Sequence, residues 1–194
     1  MAKAKRDLPV VAFKSQQAFE VWLASRPSGC PGLWLKVAKK SSGISSISRD
    51  EAVDAALCHG WIDGQLDKFD DAWWLIRFTP RQSASKWSEK NRERVLELIA
   101  LGRVQAAGLG EVERAKKDGR WDAAYARQST AEVPDDLRLA LSKSRKAKAF
   151  FETLDSKNRF AILYRIHDAK RPETRARRIE QYVAMLSERK KIHP

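Results

Sequence analysis

Two runs of strand-forming residues, WIDGQLDKF at 61–69 and AWWLIRFT at 72–79, stand on either side of Asp70 and Asp71. Both runs are rich in aromatic and β-branched residues, and the polar pair between them is typical of a turn, so they predict an antiparallel hairpin. A third run, LWLKVAK, predicts a strand over residues 33–37. We therefore expect a small antiparallel sheet of three or more strands.

Residues that typically begin or end helices occur before, between and after these strand segments. Ser48 and Glu51 have the spacing of a capping box, and Gly60 follows the apolar run as a terminator. Residues 104–117 predict another helix, loosened by its two glycines. The remaining N-cap candidates in the first two thirds of the chain are Ser15, with Phe19, Trp22 and Leu23 on one helix face, and Ser85 or Ser88 for a helix to about Leu101.

The segment ARQSTAEVP has the composition of a linker, and the chain after it is wholly helical by pattern. Ser156 is the predicted cap of one of these helices, and Pro172 suits the first turn of the last. The predicted fold class is α+β, with a small antiparallel sheet packed with helices and an all-helical C-terminal region. The expected domains are 1–126 for the α+β part, 127–133 for the linker and 134–194 for the helical part.

Length and composition limit the protein class. The chain has 194 residues, is 43% hydrophobic, and lacks any window that approaches a membrane span. Its basic start, MAKAKRDLPVVAF, has no sustained apolar stretch, so we expect no signal peptide. The two cysteines do not form a CxxC motif, which favours a reduced cytoplasmic setting.

The net charge of +13 favours anionic partners such as nucleic acid or phosphate ligands. Arg171, Arg175 and Arg178 form a basic run near the end of the chain that could contact phosphates. The alternative is a solvated helix face, because acidic residues interrupt the run and no nucleic-acid-binding motif accompanies it.

The stretch CHGWIDGQ, residues 58–65, has the residue types of an active site. Adjacent residues on a helix point about 100° apart, however, so Cys58 and His59 do not face each other. Histidines and cysteines never occur at metal-ligand spacings, and we predict no catalytic residue, no metal site and no cofactor. A buried, inert Cys58 is the favoured interpretation.

The strand that begins at Trp61 offers a binding face instead. Strict alternation puts Trp61 and Asp63 on a polar face and Ile62, Gly64 and Leu66 on the core face. Cations and serines after the hairpin, at a helix N-terminus, would add an anion site. The predicted ligand-binding residues are Trp61, Asp63, Arg77, Arg81, Ser85, Lys86 and Trp87. The alternatives are a cross-strand ion pair, a tryptophan cover over the sheet and simple helix capping.

Four blocks, ALCHGWIDGQ, RFTPRQSASKWSEKN, AKKDGRWDAAY and AKRPETRARRIEQYVAML, resemble in residues and order the YdeI/OmpD-associated, or bacteriocin-protection, family. The resemblance extends from about Phe19 to Leu186. It implies a role in protection against toxic insults and an association with an outer-membrane porin, without implying a reaction. His59 departs from the family pattern, which has a bulky aromatic there more often, and this argues against an obligatory catalytic role for that residue.

Three functions follow from these observations. The first is a cytoplasmic stress- or toxin-protection protein, a monomer or homodimer, that binds a small polar or anionic ligand or another protein. The second is a nucleic-acid-binding module with weak sequence preference, driven by positive charge. The third is an enzyme in which Cys58 or Asp63 reacts with help from Arg81.

Overall fold

The computed structural model describes residues 8–26 and 29–194. The basic start of the chain, on which the expectation about a signal peptide depends, lies mostly outside the described residues. The chain divides into two compact units, a first unit that ends at Ala124 and a second unit that begins at Tyr125. Residues 127–133, the predicted linker, belong to the second unit.

The first unit contains a four-stranded sheet in the order β1-β2-β4-β3. The strands are β1 (Val10–Ala12), β2 (Leu33–Ala38), β3 (Trp61–Lys68) and β4 (Trp73–Pro80). The α+β class and the hairpin are confirmed, but the sheet is mixed, because β1 pairs with β2 in parallel. At three residues β1 is too short to show a strand periodicity, and for this reason it was not predicted.

Four helices accompany the sheet: α1 (Gln16–Ala24), α2 (Arg49–Cys58), α3 (Glu89–Ala100) and α4 (Ala106–Lys117). The predicted cap at Ser15 and the capping box at Ser48 are both present. Ser88 caps α3 by accepting a hydrogen bond from the backbone N–H of Asn91, so Ser85 is not the cap. Helices α1 and α2 cover one face of the sheet around Phe19 and Phe78, which are fully buried.

Gly108 does not loosen α4, which is unbroken over twelve residues. A Cβ atom at Gly108 would lie 2.5 Å from the carbonyl oxygen of Cys58, so the glycine lets α4 approach the end of α2. The backbone N–H of Gln105 donates to the same carbonyl at 2.9 Å. The glycine therefore serves a close helix contact, and the predicted loosening is wrong.

The second unit consists of α5 (Asp135–Ser142), α6 (Arg145–Glu152), α7 (Ser156–His167) and α8 (Pro172–Ser187). Pro172 occupies the first turn of α8, as predicted. Asp155 rather than Ser156 caps α7, because its carboxylate accepts from the backbone N–H of Asn158 at 2.7 Å. The buried side chains of this unit's core are Leu137, Leu141, Ala147, Phe151, Leu154, Ile162, Leu163, Ile166, Ile179, Tyr182 and Leu186.

Across the described ranges, 8–26 and 29–194, no helix is both long and apolar enough to cross a membrane.

Candidate functional site

A β-bulge interrupts the strand on which the predicted binding face depends. Trp61 and Asp63 pair with Pro80 and Phe78, whereas Leu66 pairs with Ile76, so the two residues between them, Gly64 and Gln65, lie opposite one residue of β4. Trp61 and Asp63 consequently lie on the helix-packed face, and Trp61 is only 5% exposed. Leu66 is 52% exposed. The predicted division into a polar and a core face is therefore wrong: Trp61 and Asp63 lie on the covered face, and the bulge puts Leu66 on that same face instead of the opposite one.

Trp61 and Asp63 have structural partners on this face. The Trp61 ring meets the Trp22 ring edge to face, with ring centroids 5.7 Å apart. Asp63 accepts a hydrogen bond from the guanidinium of Arg49 at 3.3 Å. The carboxylate is thus paired with the first residue of α2.

Arg81 and Trp87 form a buried stack. The guanidinium carbon of Arg81 lies 3.6 Å from the centroid of the Trp87 ring, and its Nη1 donates to the carbonyl of Lys86 at 3.2 Å. Trp87 also meets Trp121 edge to face at 5.2 Å. Both members of the stack are less than 5% exposed. The stack therefore holds the segment before α3 against the rest of the first unit.

The residues predicted for an anion site at a helix N-terminus precede the helix, because α3 begins after Ser88. Ser85 closes a local turn instead: its hydroxyl accepts from the backbone N–H of Gln82 at 2.9 Å. Its carbonyl accepts from Arg120 at 2.8 Å. Lys86 is exposed.

Arg77 lies on the opposite face of the sheet, directly across from Trp34 of β2. The seven predicted ligand-binding residues therefore occupy three places: the helix-packed face near α2, the segment around Trp87, and the other face of the sheet. The structure does not bring them together.

Cys58 and His59 are not arranged as a reactive pair. Burial raises the pKa of the Cys58 thiol to about 11, which removes the thiolate at neutral pH. Burial also lowers the pKa of His59, with a smaller opposing effect from Glu20. Among residues 8–26 and 29–194, no group of three or more His, Cys, Asp or Glu side chains could hold a metal ion.

Two members of the predicted basic run bind within the second unit. Arg175 makes a bidentate contact with Asp136, with distances of 2.5 and 3.0 Å, and donates to the carbonyl of Ile166 at 3.0 Å. Arg178 donates to the carbonyl of Arg165. Both arginines thus satisfy carbonyls at the C-terminal end of α7. Arg171 is exposed at the start of α8.

A pocket of about 120 Å³ lies in the second unit where the segment before α5 meets α7 and α8. Tyr125 and Tyr164 meet edge to face in its wall, with ring centroids 4.9 Å apart, and Phe160 lies 6.0 Å from Tyr164. Glu132, His167 and Arg175 contribute the ionisable side chains of the lining. We call this the aromatic pocket.

The sequence carried one signal of the aromatic pocket that our site prediction missed. Phe160, Tyr164 and His167 have the spacing of one helix face, and such a stripe is more often part of a core. Here the stripe is only partly buried, and Tyr125 closes the space beside it.

Two open grooves lie along α8. One, of about 720 Å³, runs between α5 and α8 and includes Leu139 and Ile179. The other, of about 1040 Å³, lies between α6 and the end of α8 and includes Phe150 and Arg189. None of the seven residues predicted for ligand binding lines the aromatic pocket or either groove.

Two family models match the chain. Residues 11–111 match a domain of unknown function (DUF8412). Residues 130–189 match the family described as Bacteriocin-protection, YdeI or OmpD-Associated. No curated protein and no solved structure matches the chain.

The resemblance drawn from the sequence is confirmed for residues 130–189, which contain the block AKRPETRARRIEQYVAML. The blocks ALCHGWIDGQ and RFTPRQSASKWSEKN lie in the segment that matches the other model. Eight of the ten residues that line the aromatic pocket, from Ala131 to Arg175, lie in the bacteriocin-protection segment.

Proposed function

We propose that this chain, which belongs to the family of the domain of unknown function DUF8412, acts by binding a small polar ligand in the aromatic pocket of its second unit. The match of residues 130–189 to the bacteriocin-protection family supports a protective role for that binding. The observation that carries the proposal is the convergence of three aromatic rings and three ionisable side chains on one pocket.

The size of the aromatic pocket suggests the kind of ligand. A volume of about 120 Å³ is close to that of a cavity that holds one benzene ring, which is roughly 150 Å³. The edge-to-face tyrosine pair and the tilted phenylalanine ring offer faces and edges to another ring. The proposed ligand is therefore a single-ring molecule.

The ionisable side chains suggest polar substituents on that ring. Arg175, which makes a bidentate contact with Asp136, lines the space together with Glu132 and His167. The last turn of α7 adds the negative end of a helix dipole. A ring that carries hydrogen-bonding groups would complement this polar part of the lining better than a bare hydrocarbon.

Other functions have less support. Arg175 and Arg178 already bind carbonyls and carboxylates of their own unit, which weakens the case for a phosphate-binding ridge. The buried Cys58, with its raised pKa, weakens the case for a cysteine enzyme. Both cysteines are unpaired, which supports a cytoplasmic setting as part of the proposal.

A thermal-shift screen with benzoate, phenol and benzylamine tests the proposal, because the three compounds share a ring and differ in charge. We expect at least one to raise the melting temperature of the wild-type protein, and Tyr164→Ala to abolish that rise. Ala131→Phe offers a second test, since it would fill the aromatic pocket without removing a wall.

The matched control is Phe150→Ala, which truncates another half-buried aromatic residue of the second unit outside the aromatic pocket. Its ligand response should equal that of the wild-type protein. Stabilisation that persists in both Tyr164→Ala and Ala131→Phe, or the absence of any response to the three compounds, would contradict the proposal.

A further inference from the structure

The groove between α6 and the end of α8, which we call the α6–α8 groove, has an apolar floor and a basic rim. Ala149 and Phe150 supply the floor, and Phe150 is only partly buried although it packs on the core. Arg145, Lys146 and Arg189 supply the rim. Its volume of about 1040 Å³ exceeds that of most small-molecule sites, which range from about 300 to 1000 Å³.

The rim cations are available to a partner. Within the part of the chain that the structure describes, Arg145, Lys146 and Arg189 have no carboxylate partner. The one carboxylate of the lining, Glu188, is held by Lys190 at 2.6 Å. The groove therefore presents net positive charge beside exposed apolar surface.

Arg189 has an unusual backbone conformation. Its φ of 55° makes it the one non-glycine residue with positive φ among residues 8–26 and 29–194. It follows Glu188, the C-cap of α8, and the N–H groups of Arg189 and Lys190 donate to the carbonyls of Leu186 and Met185.

The corresponding position after other helices is taken by glycine. Gly60, Gly102 and Gly119 follow α2, α3 and α4 with φ between 68° and 77°. Glycine adopts this conformation without strain, whereas arginine does so at a cost. A strained residue whose side chain lines a groove is a reason to infer a function for that side chain.

We propose that the α6–α8 groove docks an acidic amphipathic helix of a partner protein. The apolar face of the helix packs on Ala149 and Phe150, and its acidic residues pair with Arg145, Lys146 and Arg189. The groove between α5 and α8 is a weaker candidate, because its rim charges, Asp136, Lys143, Arg175 and Glu180, balance one another.

The shape and lining of the α6–α8 groove fit a bound helix better than a bound nucleic acid. The groove lies between two helices, as grooves that receive amphipathic helices commonly do. Phe150 is the single aromatic residue of its lining, whereas single-stranded nucleic acids are bound through several stacking rings.

The experiment measures the fluorescence anisotropy of a labelled peptide of about 18 residues, with leucine along one helix face and glutamate elsewhere, titrated with the full-length protein. We expect saturable binding at low salt that weakens as salt is added. The double substitution Arg145→Glu with Lys146→Glu should weaken binding about tenfold or more, since it places like charges opposite the peptide.

The matched control is Lys170→Glu with Arg171→Glu, which makes the same change in charge at two exposed residues outside the groove. It should leave peptide binding within about twofold of wild type, apart from long-range charge effects. Equal losses in the two double variants would overturn the proposal, because they would show a general charge effect.

Arg189→Gly separates a binding role from a structural one. Glycine relieves the left-handed strain, so the melting temperature should rise by about 2–4 °C. If Arg189 contacts the peptide, binding should nevertheless weaken, by about threefold or more. Unchanged peptide binding in this variant, or tighter groove-dependent binding of single-stranded DNA than of the peptide, would overturn the proposal.

Discussion

The two units of this protein use their aromatic and charged side chains differently. In the first unit, Trp61 and Trp87 are buried, and Arg81 lies stacked on the second of them. In the second unit, Phe150, Phe160 and Tyr164 are only partly buried and line open space.

Residue type alone is therefore a poor guide to the position of a binding site. The first unit contains the residues that most resemble an active site. Of these, Trp61 packs against another ring and Asp63 pairs with an arginine. The second unit has plainer residues, but its short helices leave a pocket and two grooves between them. The two units differ in whether their aromatic rings are exposed to open space, and not in whether they contain aromatic residues.

Among these substitutions, Trp87→Ala should have the largest effect on stability. A small effect would contradict the view that the aromatic residues of the first unit serve packing. Trp87 is 2% exposed and supports the Arg81 guanidinium, so its loss should lower the free energy of unfolding by about 3–5 kcal/mol. Urea titration followed by circular dichroism measures this. Trp74→Ala, at a tryptophan that is 46% exposed, should cost less than about 1 kcal/mol. Similar costs at both positions would mean that Trp87 is not a packing residue.

The reactivity of Cys58 is the next test. With a pKa of about 11, its thiolate fraction at pH 7 should be about 100-fold lower than that of an ordinary cysteine. Iodoacetamide labelling of the native protein, followed by mass spectrometry, should modify the half-buried Cys30 well before Cys58. Rapid labelling of both, with Cys58→Ser removing one of the two signals, would reopen the enzyme hypothesis.

Substitution of alanine for each of two glycines in α4 should change the stability of the protein in opposite directions. Gly108→Ala places a methyl group 2.5 Å from a backbone oxygen and should cost about 1–3 kcal/mol of stability. Gly110→Ala meets no atom within 4 Å in the described part of the chain and should gain about 0.5–1 kcal/mol. The urea midpoints of the two variants measure this, and a loss in both would show that α4 needs flexibility.

The smallest effect is expected in the second unit, at Asp136. The Arg175 guanidinium holds the pKa of this carboxyl below its usual range. The resulting stability is present above about pH 4, the ordinary aspartate pKa, and is lost as the pH falls through the lower pKa of the folded state.

Asp136→Asn should remove this contribution, which is about 0.2–1 kcal/mol because the carboxylate is 45% exposed. The variant should lose less stability than wild type between neutral pH and about pH 3, as measured by thermal unfolding at each pH. An identical pH profile in the two proteins would show that the pair contributes nothing to folding.

Local features of the fold were predictable from the sequence. Ser15 and the Ser48–Glu51 pair predicted the starts of their helices, because an N-cap and its hydrogen-bond partners lie within one turn of each other. The hairpin was predictable because its two strands and turn are contiguous. Asp70 anchors that turn, since its carboxylate accepts from the backbone N–H groups of Ala72 and Trp73.

Features that depend on distant contacts were not predictable. The parallel pairing of β1 joins residues more than twenty positions apart. The bulge at Gly64 and Gln65 puts Leu66 on the same face as Trp61 and Asp63, whereas strict alternation put it on the opposite face. The aromatic pocket needs the segment before α5 to meet α7 and α8, which only the packed helices bring about.

The bulge in β3 also bears on whether another chain could pair with the edge of the sheet. β3 is an edge strand of eight residues, long enough to template the addition of a strand from another molecule. The extra residue at Gly64 and Gln65 breaks the regular spacing of outward N–H and C=O groups, and Asp67 and Lys68 place charges on the same strand. We therefore expect the bulge to disfavour edge-to-edge pairing at β3, since a regular strand docked there would lose register within a few residues.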